Sequence, residues 1–384
     1  MIYFDNAATT KPCPETVAAV NHYLTDVWAN PSSLHSAGIE ARRAVEDARR
    51  AILSSLGVRF GSRSTVVFTG SGTEANNLAI LGTCRAKARR GRVIITEGEH
   101  SSVENAARRA EEEGHEVVRI PTRGGRLDMD ALAKALTPNT VLLSLMLVNN
   151  ETGARYDVEG AFKIAKETVP GAVLHCDAVQ GYMKVPFTAA SLGADLITVS
   201  AHKIHGPKGV GALFIKDDII RAKKISPIIY GGGHEGGLRS GTENVPAILG
   251  FAAALKASGE NFAASMKRCS DIREHIINTL KVQCPDVKAN IPPVAAPHIL
   301  SLTVPGIKSE TMLNYLSSRG ICVSSGSACS SHGKPQSRAL AAFGLSAAAA
   351  DTTIRLSFSG ENTIAEADEF IAALKDGIKN LCKI

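Results

Sequence analysis

Between residues 64 and 215 the chain alternates short apolar runs with stretches of helical period. The runs Thr65–Thr69, Arg92–Thr96, Glu116–Ile120, Val141–Val148, Ala172–Cys176, Asp195–Ser200 and Gly209–Ile215 read as strands. Segments such as Glu74–Ala88, Ser101–Glu113 and Asp157–Thr168 repeat their apolar positions with the period of a helix and lie between them. Such alternation predicts an α/β fold with a mostly parallel, doubly wound, seven-stranded sheet covered on both faces. After the glycine-rich stretch 231–242 the pattern changes. Helices near 244–257 and 261–283 lead into short elements at His298–Val304, Ser309–Arg319, Ile321–Ser324, Gln336–Phe343, Thr353–Phe358 and Ile364–Leu381. These read as a smaller α+β domain. The expected division is a large domain over 14–255 and a small one over 256–384, joined by the N-terminal segment 1–13.

Bulk properties narrow the class. A chain of 384 residues, 44% hydrophobic and 21% charged, has length for one large core and a smaller one. The N-terminus lacks the basic and apolar regions of a signal peptide, and no apolar run approaches the length of a membrane span, so a cytoplasmic protein is expected. The net charge of +6 is spread along the chain. Its densest cluster, Arg85, Lys87, Arg89, Arg90 and Arg92, falls at a helix end where cations complement the dipole, so nothing demands nucleic acid. Eight cysteines, at 13, 84, 176, 269, 284, 322, 329 and 382, form no C-x-x-C pair, which argues against a zinc ribbon; no metal site is expected. Seven read as small apolar fillers. Cys329 does not, because it sits among small polar residues, Ser324-Ser325-Gly326-Ser327-Ala328 before it and Ser330-Ser331-His332-Gly333 after it.

In doubly wound sheets ligands bind beyond the carboxyl ends of the strands. Gly70–Thr73, His100, Asn149-Asn150, Asp177–Gln180 and Ser200–Lys203 all fall at those ends. Gly72 and Thr73 open a helix whose free amides suit an anion. The same stretch, Gly70 to Ala75, also fits a dinucleotide fingerprint with Glu97 as its later acid, which keeps a nicotinamide dehydrogenase as an alternative. Lys203 follows a buried strand in Ser200-Ala201-His202-Lys203, where an amine can become a nucleophile. A carboxylate, Asp177, ends a neighbouring strand. Together they supply what pyridoxal 5'-phosphate needs: an amine for its aldehyde and a counter-charge for its ring nitrogen. His100 can stack on a flat ring and move protons near neutral pH. Arg355, inside the apolar strand Thr353–Phe358, either grips a substrate carboxylate or forms a structural ion pair. An accessible thiol at Cys329 is a nucleophile.

Assembled, these residues resemble the cysteine desulfurases, class V members of the fold-type I pyridoxal phosphate enzymes. The resemblance runs nearly end to end, through Asp5-Asn6-Ala7-Ala8-Thr9-Thr10, Asn30-Pro31-Ser32-Ser33, Gly72–Asn77, Val148–Gly153, His175–Gln180, Ser200–Lys203, Arg239-Ser240-Gly241-Thr242 and Ser324–Cys329. The last motif is of the NifS/IscS type. The resemblance implies that Lys203 carries the cofactor covalently, that Gly72, Thr73, Ser200 and His202 bind its phosphate, and that Thr242 reaches over from the second subunit of a homodimer. It implies further that Asp177 pairs with the ring nitrogen, Gln180 bonds the phenolic oxygen and His100 stacks on the ring. Asn150 would contact the cofactor and, with Arg355, hold L-cysteine, and Cys329 would accept its sulfur for delivery to an acceptor protein. The nearest alternatives are selenocysteine lyase, a small-amino-acid aminotransferase and a non-catalytic sulfur-relay partner.

Overall fold

The computed structural model describes residues 1–59, 61–87, 89–325 and 337–381. Its strands are β1 (Ile2–Tyr3), β2 (Thr65–Thr69), β3 (Arg92–Thr96), β4 (Glu116–Ile120), β5 (Thr140–Met146), β6 (Val173–Asp177), β7 (Leu196–Ser200) and β8 (Gly211–Ile215), followed by β9 (Lys288–Ala289), β10 (Ile299–Thr303), β11 (Ile321–Cys322), β12 (Ser324–Ser325) and β13 (Thr353–Ser357). Seven of them form one sheet in the order β2-β8-β7-β6-β5-β3-β4. All run parallel except β8, which is antiparallel to both neighbours. Only the short turn 201–210 joins β7 to β8, too little chain for a crossover helix, so the reversal follows from connection length.

Every residue of β5, β6, β7 and β8 is buried, as a sheet covered on both faces requires. Alternate side chains serve opposite cores. Val67, Val93, Ile95 and Leu213 pack on one face with helices α3 (Gly72–Arg85) and α4 (Ser101–Glu112). Val66, Phe68, Ile94, Cys176 and Phe214 pack on the other with Phe162 and Phe251. At roughly 1.5–3 kcal/mol for each large apolar side chain buried, these two layers fix the sheet and thereby the positions of its strand ends. Cys84, Cys176 and Cys269 are buried fillers, Cys13, Cys284 and Cys322 are half-buried, and Cys382 lies outside the described residues.

A four-stranded sheet in the order β12-β13-β10-β9 carries the third core, with Phe4, Leu300, Leu356 and Phe370 inside it. The run Ile321–Ser324, read from sequence as one strand, is two pieces in two sheets. β11 pairs in parallel with β1, whereas β12 pairs with β13. The N-terminal segment then leaves the small sheet through a bridge between Asp5 and Ser357 and crosses to the large one, where the Thr10 amide donates to the His202 carbonyl at 2.9 Å. Two helices outside the predicted alternation, α1 (Pro14–Thr25) and α2 (Ser36–Ser55), follow that segment.

Candidate active site

A cavity of about 430 Å³ opens at the carboxyl-end rim of the large sheet, where the small sheet faces it. The predicted strand-end residues Gly72, Thr73, His100, Asn150, Asp177, Gln180, Ser200, His202 and Lys203 all line it, and so does Arg355 from β13. Thr242 does not. It is exposed on the loop that follows Gly241, outside the cavity of this chain. Cys329 lies outside the described residues; Ser325, four positions before it, lines the cavity.

One end of the cavity is built by the start of α3. Ser71, in extended conformation, caps the helix by accepting the Glu74 amide at 3.2 Å. The first turn sits hard against the sheet because its neighbours leave no room for more. A Cβ on Gly211 would come within 2.5 Å of the Ser71 carbonyl carbon, and one on Gly72 within 3.0 Å of Val179 and 3.4 Å of the Ser200 Cβ. Ser200 is buried, and its hydroxyl has no hydrogen-bond partner among the described residues. An orphaned hydroxyl beside free helix amides suits a phosphate oxygen. Burial, reinforced by the Lys203 and Lys208 charges, pushes the His202 imidazole down to about 4, so it is neutral. Arg239 ties the loop before Thr242 to this end through Glu74, whose carboxylate takes the Arg239 Nε at 2.8 Å and the Gly70 amide at 2.8 Å.

The floor is polar and ordered. Asp177 ends β6 and is buried; its Oδ1 accepts the Val179 amide at 3.0 Å and its Oδ2 the Asn76 amide nitrogen at 2.7 Å. Lys203 Nζ donates to the Ala7 and Ala8 carbonyls at 2.7 and 2.8 Å, and Gln180 Nε2 donates to Ala7 at 2.8 Å. The N-terminal segment therefore meets both side chains. His100 caps α4: its Nδ1 accepts the Ser102 amide at 3.2 Å and lies 2.8 Å from the Ser102 hydroxyl. Burial and nearby Lys203 lower the His100 pKa, against an opposing pull from Asp177. Behind this floor Glu99 is fully enclosed, and burial followed by the Asp177 charge raises it to about 8.

On the facing wall Arg355 is buried and bonds in two directions. Nη1 donates to the Asn150 carbonyl and Nη2 to Asp5 Oδ1, both at 2.8 Å, while Nε has no partner among the described residues. Both sequence readings of this arginine thus meet in one place, an ion pair with Asp5 and a guanidinium edge at the cavity. Glu151, also lining the cavity, accepts the Ser337 hydroxyl, so residues 325 and 337 are both held at this mouth. The sequence reading missed Asp5, Asn76, Ser102 and Glu151. Asp5 stood within a quoted motif, but nothing in its surroundings named Arg355 as its partner.

These residues fit pyridoxal 5'-phosphate. Helix amides and the unpartnered Ser200 hydroxyl stand at the α3 end, a buried carboxylate at the floor and a lysine between them. Comparison with known proteins points the same way. The family model described as aminotransferase class-V matches residues 2–370. A cysteine desulfurase of Trichormus azollae is 37% identical over 99% of this chain and 94% of its own. A solved structure of a NifS-like protein superposes with a TM-score of 0.91 at 32% identity, covering 99% of this chain and all of that one. Another, described as SspA in complex with cysteine, gives 0.81 at 31% identity over 94% of this chain and 100% of that one.

Proposed function

The chain belongs to the class-V aminotransferase family, and on that footing we propose that it is a pyridoxal 5'-phosphate-dependent cysteine desulfurase. It converts L-cysteine to L-alanine and leaves the sulfur as a persulfide on Cys329. The observation that carries this reading is the convergence of Asp177, Ser200, Lys203 and Arg355 on one cavity whose edge includes Ser325.

When bound, the cofactor supplies an electron sink for the negative charge that develops at the substrate Cα. The protein does the rest. Gly72, Thr73, Ser200 and neutral His202 hold the phosphate as hydrogen-bond donors, and Thr242 of a second copy completes that seat. Asp177 keeps the ring nitrogen protonated, fixed for this by its bonds to Val179 and Asn76. Gln180 bonds the phenolic oxygen once its amide leaves Ala7, and His100 stacks on the ring. Lys203 would anchor the cofactor through Nζ, and the same amine, once displaced by substrate, would take the proton from the substrate Cα. Arg355 and Asn150 hold the substrate carboxylate and orient the Cβ–S bond, the guanidinium supplying charge-assisted hydrogen bonds at the cavity. The Cys329 thiolate attacks the substrate sulfur, forming the S–S bond as the Cβ–S bond breaks. The bonding pair stays with Cβ, which His100 and water protonate to give alanine.

A homodimer is part of this reading, supported by large apolar side chains left exposed on the single chain, Trp28, Leu34 and Tyr230 among them. The persulfide passes to an acceptor protein, a scaffold for iron–sulfur clusters or an enzyme of tRNA thiolation. Among the described residues no helix is long and apolar enough to cross a membrane, and a cytoplasmic location fits. The deciding experiment measures alanine and sulfide from L-cysteine with reductant present, for wild type and Cys329→Ala. Equal yields in the wild type and none in the variant are expected. Pyruvate or another keto acid in place of alanine would leave the family standing and overturn the reaction.

A further inference from the structure

Two side chains behind His100 carry no assigned role, yet they control what its ring can do. Asn76, on α3, is buried, and its Nδ2 donates to Asp177 Oδ2 at 2.7 Å and to Ser102 Oγ at 2.8 Å. An ionised carboxylate only accepts, so the amide nitrogen, not the oxygen, must face Asp177. Both of its hydrogens are then committed. The other end of the amide, Oδ1, is left buried without a partner among the described residues. Such an arrangement is retained only where the two donated bonds outweigh the orphan.

The polarity continues outward. Ser102 Oγ already accepts from Asn76, which leaves its hydrogen to point at His100 Nδ1, 2.8 Å away. The Ser102 backbone N–H points at the same nitrogen at 3.2 Å. Two donors on Nδ1 require its lone pair there, so the proton of the neutral ring sits on Nε2, the nitrogen with no bond among the described residues and the cavity in front of it. We infer that Asn76 and Ser102 are positioning residues that hold His100 as its neutral Nε2–H tautomer and link it through one hydrogen-bond chain to the Asp177 carboxylate. This deepens the desulfurase reading and rests on it for its purpose, though not for its geometry.

The consequence for the reaction is a direction. In the resting site His100 donates a hydrogen bond into the cavity and cannot accept a proton at Nε2. It becomes a cation only by protonation at Nδ1, which breaks the bond from the Ser102 amide and obliges the Ser102 hydroxyl to turn its hydrogen away from the ring while still accepting from Asn76. The charged groups facing the ring are Asp177 from the end of β6 and Lys203 from the turn after β7, and they act in opposite senses. The network adds a bias that neither charge supplies.

The test reads the ring directly. Nitrogen-15 NMR of histidine-labelled, cofactor-loaded protein, repeated after cofactor removal, follows His100, with its signals assigned by their loss in His100→Gln. A neutral Nε2–H ring is expected in the wild type. Ser102→Ala removes one donor and should raise the protonated fraction about tenfold at a given pH, a shift of about one unit. Asn76→Ala should move it the same way, and Ser102→Thr should restore the wild-type titration. The acid limb of kcat should shift in parallel with the ring. An Nδ1–H ring in the wild type, or a Ser102→Ala titration that coincides with the wild type, would overturn the inference. A purely structural role would lower thermal stability and leave tautomer and titration unmoved. Failure of the desulfurase reading would appear separately, as missing alanine in the product assay with the ring state intact.

Discussion

The wall that carries Asp177, Ser200 and Lys203 comes from the carboxyl ends of β6 and β7 and the turn after β7, whereas the wall that carries Arg355 is assembled from segments 350 and 205 residues apart in the chain. The first wall inherits its precision from backbone topology. Parallel strands deliver their carboxyl ends to one rim, and two buried layers keep that rim fixed. The second wall is set by side-chain bonds between the small sheet, the N-terminal segment and the loop at Asn150. Its geometry depends on how those pieces meet. A rigid wall suits a cofactor that stays; an assembled wall suits a substrate that must enter and leave.

If the two walls are separable in this way, mutations should divide cleanly between cofactor and substrate effects. The largest effect belongs to Lys203, to which the proposed mechanism gives both the anchoring and the proton transfer. Lys203→Ala should lower kcat by about 10²–10⁴-fold and abolish the borohydride-reducible link between protein and cofactor. A reducible adduct that persists on another lysine would remove Lys203 from its role. Next is Arg355. Arg355→Ala takes away a charge-assisted bond worth about 1.5–3 kcal/mol and strands Asp5, so KM for L-cysteine should rise about 10- to 150-fold. Cofactor affinity should stay within about twofold, because Arg355 bonds Asp5 and the Asn150 carbonyl whereas Asp177 bonds Val179 and Asn76. A comparable loss of cofactor would mean the walls are one unit. Ser200→Ala should give the converse, with cofactor Kd raised about tenfold for one lost bond to phosphate and KM almost unmoved.

How much of this was legible in the sequence follows the same divide. The rim turns were readable because strand–turn–helix alternation fixes where each turn must go, and Gly72, His100, Asp177 and Lys203 needed only that rule. The antiparallel β8 was also within reach, since the short turn 201–210 has no room for a helix. The split of Ile321–Ser324 was not: no periodicity marks Val323 as the place where the chain leaves one sheet for another. Nor were Asn76 and Ser102 visible. A polar residue inside a helix ordinarily faces water, and only the packing of α3 against α4 and β6 turns these two inward to meet Asp177 and His100. Asp5 was quoted in a motif but gained a role only when the small sheet placed Arg355 beside it.

The smallest expected effect tests that last contact. A substrate carboxylate approaching Arg355 meets a guanidinium already paired with Asp5 at 2.8 Å, so the positive charge it sees is partly neutralised. Asp5 is itself partly exposed, so solvent and salt reach the pair and weaken it. Asp5→Asn keeps the shape and a hydrogen-bonding oxygen while removing the negative charge. KM for L-cysteine should therefore fall, by about two- to fivefold, with the gain shrinking as salt is raised. A rise in KM instead would mean that Asp5 matters mainly by aiming the guanidinium, because a neutral amide holds it less firmly than a carboxylate. Either sign assigns Asp5 to the substrate wall. An unchanged KM with weakened cofactor binding would place it on the other one, acting through Ala7, Ala8 and the contacts they make with Lys203 and Gln180.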